Sequence, residues 1–183
     1  DPRLSQVPWL LQQLWQADAD AMQGHDGPSV HAELLSLAQH QLNQAVAAGV
    51  PIMAGTDTPD SFVFAGSGLI DELELYTQAG LTPLQALQSA TLWPARYAGA
   101  TAFAGSIAVG KDANLLLVAE DPLQQITALR QVEGLVLAGN WYDKSQLDNL
   151  KSFSTAQASS LRLNLQLAWS ALGSATFRQQ FAD

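Results

Sequence analysis

Residues 50–57 read VPIMAGTD, and this run constrains the fold more than any other part of the chain. Val50–Ala54 is a continuous apolar stretch that follows Gly49, as is typical of a short buried parallel strand. The strand predicted at 50–55 ends in small residues and is followed by the carboxylate of Asp57. Because barrel enzymes place their catalytic groups at the carboxyl ends of their strands, Asp57 is the first candidate for a functional residue.

The segments around this run predict further helices, so the chain is of the α/β class. Apolar residues at helical spacing predict four helices, at 8–22, at 30–48, at 69–79 and from Thr82-Pro83 onward. Thr82 suits the N-cap and Pro83 the first helical position. Gly49 is expected to end the second helix, and Pro94 to start a further short one through Tyr97.

From Gly105 the pattern changes to strands separated by turns. Leu115–Val118 and Val132–Ala138 are apolar runs, and the Gly139-Asn140 dipeptide predicts a hairpin turn that leads into Trp141-Tyr142. Residues 144–183 permit two interpretations, since their apolar residues fit both strand and helix spacing. Helices are favoured because leucine, glutamine, arginine and alanine are good helix formers.

Composition excludes several classes of partner and site. The net charge of −9 without any lysine or arginine cluster argues against a nucleic-acid partner. The chain has no cysteine, which excludes disulfides and cysteine-based metal or redox sites. It has no apolar run long enough for a membrane span. It begins with Asp1-Pro2 rather than methionine, so we expect a piece cut or processed from a longer protein.

Six motifs in order, GTD, AGLTPLQAL, AT-x-x-PA, GSI-x-x-GK-x-A, DPL and AGNWYD, resemble the C-terminal part of the amidohydrolase superfamily. The resemblance covers roughly residues 1–150 and is to the imidazolonepropionase-like and Xaa-Pro-dipeptidase-like branch. It implies the C-terminal portion of a metal-dependent-hydrolase (β/α) barrel over 1–100. It further implies part of a small β-sandwich module over 101–145, and a C-terminal helical extension follows over 146–183.

A complete barrel needs roughly 250 residues, so this chain is expected to hold about one barrel strand with its helices. A lone strand leaves backbone groups unpaired. We therefore expect a homo-oligomer, or association with a missing N-terminal half.

The resemblance assigns Asp57 two roles. In the family, the acid of the GTD motif binds a divalent metal and takes the proton from the attacking water. From position alone, Asp57 could instead cap the following loop. Thr58, Ser61 and Phe62 are candidates for lining a substrate pocket, with ordinary loop residues as the alternative.

The other expected metal ligands are missing from the sequence. Zinc hydrolase sites usually take three protein ligands, and the family supplies a His-x-His pair and further histidines. This chain has no His-x-His, and we expect His25, His31 and His40 to be surface or packing residues. A divalent metal, with zinc as first choice, is therefore expected in the full-length parent and not in this chain alone. Ile70 stands where the family often has a histidine.

Two functions remain open. The first is a metal-dependent amidohydrolase that cleaves an amide bond in a dipeptide, an N-acyl amino acid or a cyclic amide, with this chain as a fragment inactive by itself. Its substrate would be a small-molecule amide or peptide. The alternative is a catalytically silent amidohydrolase-like interaction or assembly module. The acids Asp71, Glu72 and Glu74 are expected to form a solvated helix face rather than a paired acid–base site.

Overall fold

A computed structural model describes residues 1–23 and 28–174 of the chain. Those residues form seven α-helices, three β-strands and two short 3₁₀ helices. The α-helices are α1 (Trp9–Gln23), α2 (Pro28–Ala47), α3 (Gly68–Gln78), α4 (Pro83–Ala90), α5 (Leu92–Tyr97), α6 (Lys144–Ala158) and α7 (Leu161–Gly173). The strands are β1 (Leu115–Val118), β2 (Val132–Leu137) and β3 (Asn140–Asp143), and the 3₁₀ helices are Pro2–Gln6 and Ile126–Arg130.

The end of α2 is set by Gly49, as the sequence predicts. Gly49 has φ 77°, a left-handed conformation that glycine adopts without steric cost. Its N–H donates to the carbonyl of Val46 at 3.0 Å, and the N–H of Val50 donates to that of Ala45 at 2.9 Å. These two bonds satisfy the last carbonyls of the helix and turn the chain into residues 50–57.

The start of α4 also follows the prediction. The Thr82 hydroxyl accepts from the N–H of Gln85 at 3.2 Å, and the Gln85 side chain accepts from the N–H of Thr82 at 2.8 Å. Pro83 occupies the beginning of the helix, where its missing N–H costs nothing. This reciprocal capping box fixes the first turn from local sequence alone.

The three strands form one antiparallel sheet in the order β1-β2-β3. Both predicted strands and the hairpin are confirmed, but the turn is one residue earlier than expected. Leu137 pairs with Asn140, so Ala138 and Gly139 are the central residues, with φ 51° and 79°. Asn140 therefore belongs to β3, and the turn has the positive φ pair that two-residue hairpins prefer.

The strand predicted at 50–55 is wrong for the described structure. The segment has no regular secondary structure; its residues 51–56 alternate between exposed and half-buried, and it is paired with no strand among the described residues. Val50 and Met53 are 51% and 43% exposed. The reason is that a parallel ladder needs a second strand, and the described residues supply none beside it. The barrel and the β-sandwich are accordingly not confirmed within these residues.

The chain divides into two compact units. The mixed unit, Asp26–Lys144, has a core of Leu73, Ala86 and Ile126, which are at most 5% exposed. The helical unit, Asp1–His25 with Ser145–Asp183, packs α1 against α7. Its two C-terminal helices confirm the helical interpretation of the tail as far as Gly173. No helix within 1–23 or 28–174 has both the length and the apolarity to cross a membrane.

Candidate functional site

Asp57 lies at the start of two consecutive turns in the mixed unit. The N–H of Asp60 donates to the carbonyl of Asp57, and the N–H of Val63 donates to that of Asp60, each at 2.9 Å. Asp57 is exposed and has φ 55°, a left-handed conformation that aspartate tolerates better than most residues. The loop therefore carries the acid on a defined backbone, accessible to a ligand.

The first candidate substrate contact, Thr58, has its hydroxyl engaged within the loop. Its Oγ1 lies 2.8 Å from Oγ1 of Thr56, and its N–H donates to the same Thr56 oxygen at 3.3 Å. These bonds link Thr58 to Thr56, on the other side of Asp57 in the sequence. They shape the loop whether or not Thr58 also contacts a substrate.

The other two candidates lie in the second turn. The N–H of Ser61 donates to Oδ1 of Asp60 at 2.8 Å. Phe62 has φ 63° and leaves 42% of its surface exposed. The structure thus places Ser61 and Phe62 in the same loop as Asp57, and their role in binding stays a prediction.

Glu72 is the residue that sequence reasoning missed. Both oxygens of its carboxylate accept from the N–H of Gly55, at 3.0 and 3.1 Å, and the Tyr76 hydroxyl donates to its Oε1. Burial, and then the hydrogen bond and charge of Glu72, raise the pKa of the Tyr76 phenol above its ordinary value. Glu72 on this half-exposed helix face is also bonded to the segment that leads to Asp57, a contact that the sequence does not indicate.

Its two acidic neighbours bind an arginine instead. Arg130 donates from Nη2 to Asp71 and from Nε to Glu74, each at 2.6 Å. These hydrogen bonds, to Glu74 first and then to Asp71, raise the pKa of the Arg130 guanidinium. The pairs join the 3₁₀ helix Ile126–Arg130 to α3. Two acids of α3 thus form ion pairs with Arg130, and the third, Glu72, binds the segment before Asp57.

The described residues do not fit a metal site by themselves. Within 1–23 and 28–174, no group of three histidine, cysteine or acidic side chains is placed to hold an ion. His31 and His40 are exposed on α2, as predicted, and the Gln44 amide donates to Nε2 of His40 at 3.0 Å. His25 lies outside the described residues. Asp57 is the one candidate ligand that the sequence motif assigns.

A shallow groove in the helical unit offers no acid–base chemistry. It runs along α7 and contains neither a carboxylate nor an imidazole among its lining residues, which are Leu161, Arg162, Leu165, Gln166, Trp169 and Ser170. General acid–base catalysis needs a group that exchanges protons near neutral pH, and arginine stays charged there. The loop that bears Asp57 is therefore the better candidate for chemistry.

A protein-family model described as the amidohydrolase family matches residues 30–142. The match includes the loop with Asp57, all of α2 except its first residues, and the three-stranded sheet up to Tyr142. No curated protein matches the sequence significantly.

Several solved structures are also similar to this chain in fold. Bottromycin amidohydrolase is 25% identical, with a TM-score of 0.68 over 85% of this chain and 34% of that one. A Xaa-Pro dipeptidase with methionine bound in its active site is 28% identical, with a TM-score of 0.51 over 57% of this chain and 25% of that one. Phenylurea hydrolase B is 25% identical, with a TM-score of 0.52 over 59% and 27%. The chain thus spans between 25% and 34% of the length of these structures.

Proposed function

Since this chain belongs to the amidohydrolase family, we propose that it forms part of a hydrolase that cleaves the C–N bond of an amide. The observation that carries the proposal is Asp57, an exposed acid in a hydrogen-bonded loop inside the matched region. Its GTD motif resembles the one that carries the family's catalytic acid.

Asp57 is proposed to act as a proton shuttle. Its carboxylate accepts a proton from water as the water oxygen bonds to the amide carbon, and it delivers that proton to the leaving nitrogen as the C–N bond breaks. A divalent metal, zinc as first choice, would lower the pKa of that water when bound. Because Asp57 is the one ligand proposed here, the remaining ligands would come from polypeptide outside the described residues.

The proposed substrates are dipeptides, N-acyl amino acids or cyclic amides. The likeness to a Xaa-Pro dipeptidase supports this class. Thr58, Ser61 and Phe62 are proposed to line the pocket, with the exposed ring of Phe62 offering apolar contact and the small Ser61 leaving room. Specificity within the class would then depend on further pocket residues that lie outside the described part of the chain.

The exposed apolar surface of the mixed unit supports a partner. Val30, Leu34 and Leu37 share one face of α2 and are 38%, 58% and 52% exposed. The edge strand Leu115–Val118 also exposes apolar side chains. Such surface is normally covered. We propose that a missing N-terminal half, or a second copy in a homo-oligomer, covers it and that the isolated chain is inactive.

The proposed division of the family architecture follows the motifs. Residues 1–100 would complete the barrel and residues 101–145 would contribute to a small β-sandwich module. Residues 146–183 would form a helical extension.

Two measurements test the hydrolase. Sequencing the reading frame upstream of the Asp1 codon should find a His-x-His pair and two later histidines. In the full-length protein, Asp57→Asn should then lower kcat by about a hundredfold or more, the usual contribution of a positioned proton-transfer group. The matched control is Asp60→Asn in the same loop, whose amide oxygen can still accept from Ser61. It should keep kcat within about threefold.

An upstream barrel without those histidines, or an Asp57→Asn protein with unchanged kcat, would remove the catalytic proposal. The second candidate would then stand, an amidohydrolase-like interaction or assembly module. Ile70, which stands where the family often has a histidine, is the observation that favours it.

A further inference from the structure

We propose that Glu72 is a positioning residue, whose carboxylate holds the backbone at Gly55 and thereby sets the direction in which Asp57 faces a substrate. The proposal rests on the catalytic role proposed for Asp57. In this proposal Glu72, on α3, contacts the backbone before Asp57 and does not contact the substrate.

The contact is well suited to fixing a backbone. Both carboxylate oxygens of Glu72 lie within hydrogen-bond distance of the Gly55 nitrogen, at 3.0 and 3.1 Å. The Tyr76 hydroxyl holds one of those oxygens from the next turn of α3. Between Glu72 and Tyr76, Leu73 is 2% exposed and belongs to the core, so the helix that carries the anchor is itself firmly packed.

The segment before Asp57 needs such an anchor because no strand within the described residues pairs with it. The N–H of Ala54 donates to the carbonyl of Ser89 at 3.0 Å, and the next N–H, that of Gly55, goes to Glu72. Asp57 follows at once with a left-handed φ of 55°, a conformation that persists only where its surroundings hold it. Glu72 thus adds a hydrogen bond to the backbone two residues before Asp57.

The chemistry of a carboxylate fits this position better than that of an amide. A carboxylate only accepts, so it can serve the N–H of Gly55 and the hydroxyl of Tyr76 together. Glutamine would keep one oxygen that can accept from both donors, but its NH₂ group would replace the second oxygen, which also accepts from the N–H of Gly55. Replacing Glu72 by glutamine should therefore preserve part of the anchor, and alanine none of it.

The first test measures the contact in the chain itself, without any need for activity. Amide hydrogen exchange of Gly55 is followed by NMR in the ¹⁵N-labelled chain and in Glu72→Ala, Glu72→Gln and Glu74→Gln. Exchange at Gly55 should accelerate about tenfold in Glu72→Ala and less in Glu72→Gln. Glu74 carries the same charge on the same helix but binds Arg130 rather than Gly55. Glu74→Gln should therefore leave exchange at Gly55 unchanged.

A further variant guards against loss of folding. Tyr76→Phe removes only the hydroxyl that holds Glu72, and it should accelerate Gly55 exchange by about twofold to threefold while circular dichroism stays that of the parent chain. Equal Gly55 exchange in Glu72→Ala and Glu74→Gln would overturn the proposal.

The second test separates positioning from mere stability in the full-length protein. Glu72→Ala should lower kcat about tenfold with KM within about twofold, and Glu72→Gln should restore part of kcat. An unchanged kcat beside faster Gly55 exchange would overturn positioning. If exchange responds but the unmodified full-length protein hydrolyses no amide, the contact stands and the proposed hydrolase fails. If exchange does not respond, the Glu72 proposal fails whatever the activity.

Discussion

Replacing Asn164 by alanine should lower the free energy of unfolding of the helical unit by more than replacing an exposed asparagine does. Asn164 is fully buried near the start of α7. Its Oδ1 accepts from the N–H of Leu10 at 3.1 Å, and its Nδ2 donates to the carbonyls of Ala158 and Ser160, each at 2.9 Å. One side chain therefore joins the first turn of α1 to the connection between α6 and α7.

The size of the effect follows from these three bonds. Each is worth about 1 kcal/mol net, and a donor or acceptor left buried without a partner costs about 1–3 kcal/mol. Leu10 and Ser160 are only half-buried, so water can hydrogen-bond to some of the backbone groups that lose their partner. The expected loss in free energy of unfolding is thus about 2–4 kcal/mol for Asn164→Ala.

Urea denaturation followed by circular dichroism measures this loss, and hydrogen exchange of the Leu10 amide locates it. The matched control is Asn149→Ala on α6, where the asparagine is exposed and the change should stay within about 0.5 kcal/mol. An Asn164→Ala chain as stable as Asn149→Ala, with Leu10 exchange unchanged, would refute the reasoning.

Two further predictions concern the electrostatics of α3. The raised pKa of Tyr76 leaves its stabilisation complete below about pH 10, and the stabilisation is lost as pH rises, because the unfolded state releases the phenolic proton first. Urea denaturation between about pH 8 and pH 11.5 should show an extra downward slope of at most about 1.4 kcal/mol per pH unit that Tyr76→Phe removes, and equal slopes would contradict this. Arg130→Met should cost at most about 1 kcal/mol, since the arginine side chain is 39% exposed, and the cost should shrink in about 1 M NaCl. Arg162→Met on α7 is the control, and a cost that salt does not change would count against an ion-pair origin.

Much of the fold could be predicted because its signals are local. The capping box of Thr82 and Gln85 and the end of α2 at Gly49 each depend on residues within one helical turn of one another. The family and the candidate acid Asp57 likewise follow from motifs of a few residues. The hairpin turn lies one residue earlier than the sequence predicts, because the pairing of Leu137 with Asn140 places Ala138 in the turn at a positive φ that alanine rarely adopts.

The strand expected at 50–55 could not be settled from its own residues. An apolar run predicts that a segment is extended, but a strand also needs a neighbour at hydrogen-bond distance. Here the neighbour is absent from the described residues, and Ser89 and Glu72 provide the hydrogen bonds instead. Those partners lie far along the chain, so no window around residue 50 contains them.

The sequence by itself determined the family, most helices and the hairpin, and it located the acid of the candidate site. Only the tertiary structure decided which of three nearby carboxylates contacts the segment before Asp57. Asp71 and Glu74 turn to Arg130, whereas Glu72 turns to Gly55. The physical reason is geometric, because identical charged groups on one helix differ only in what packs against each side of it, and that depends on contacts between residues distant in sequence.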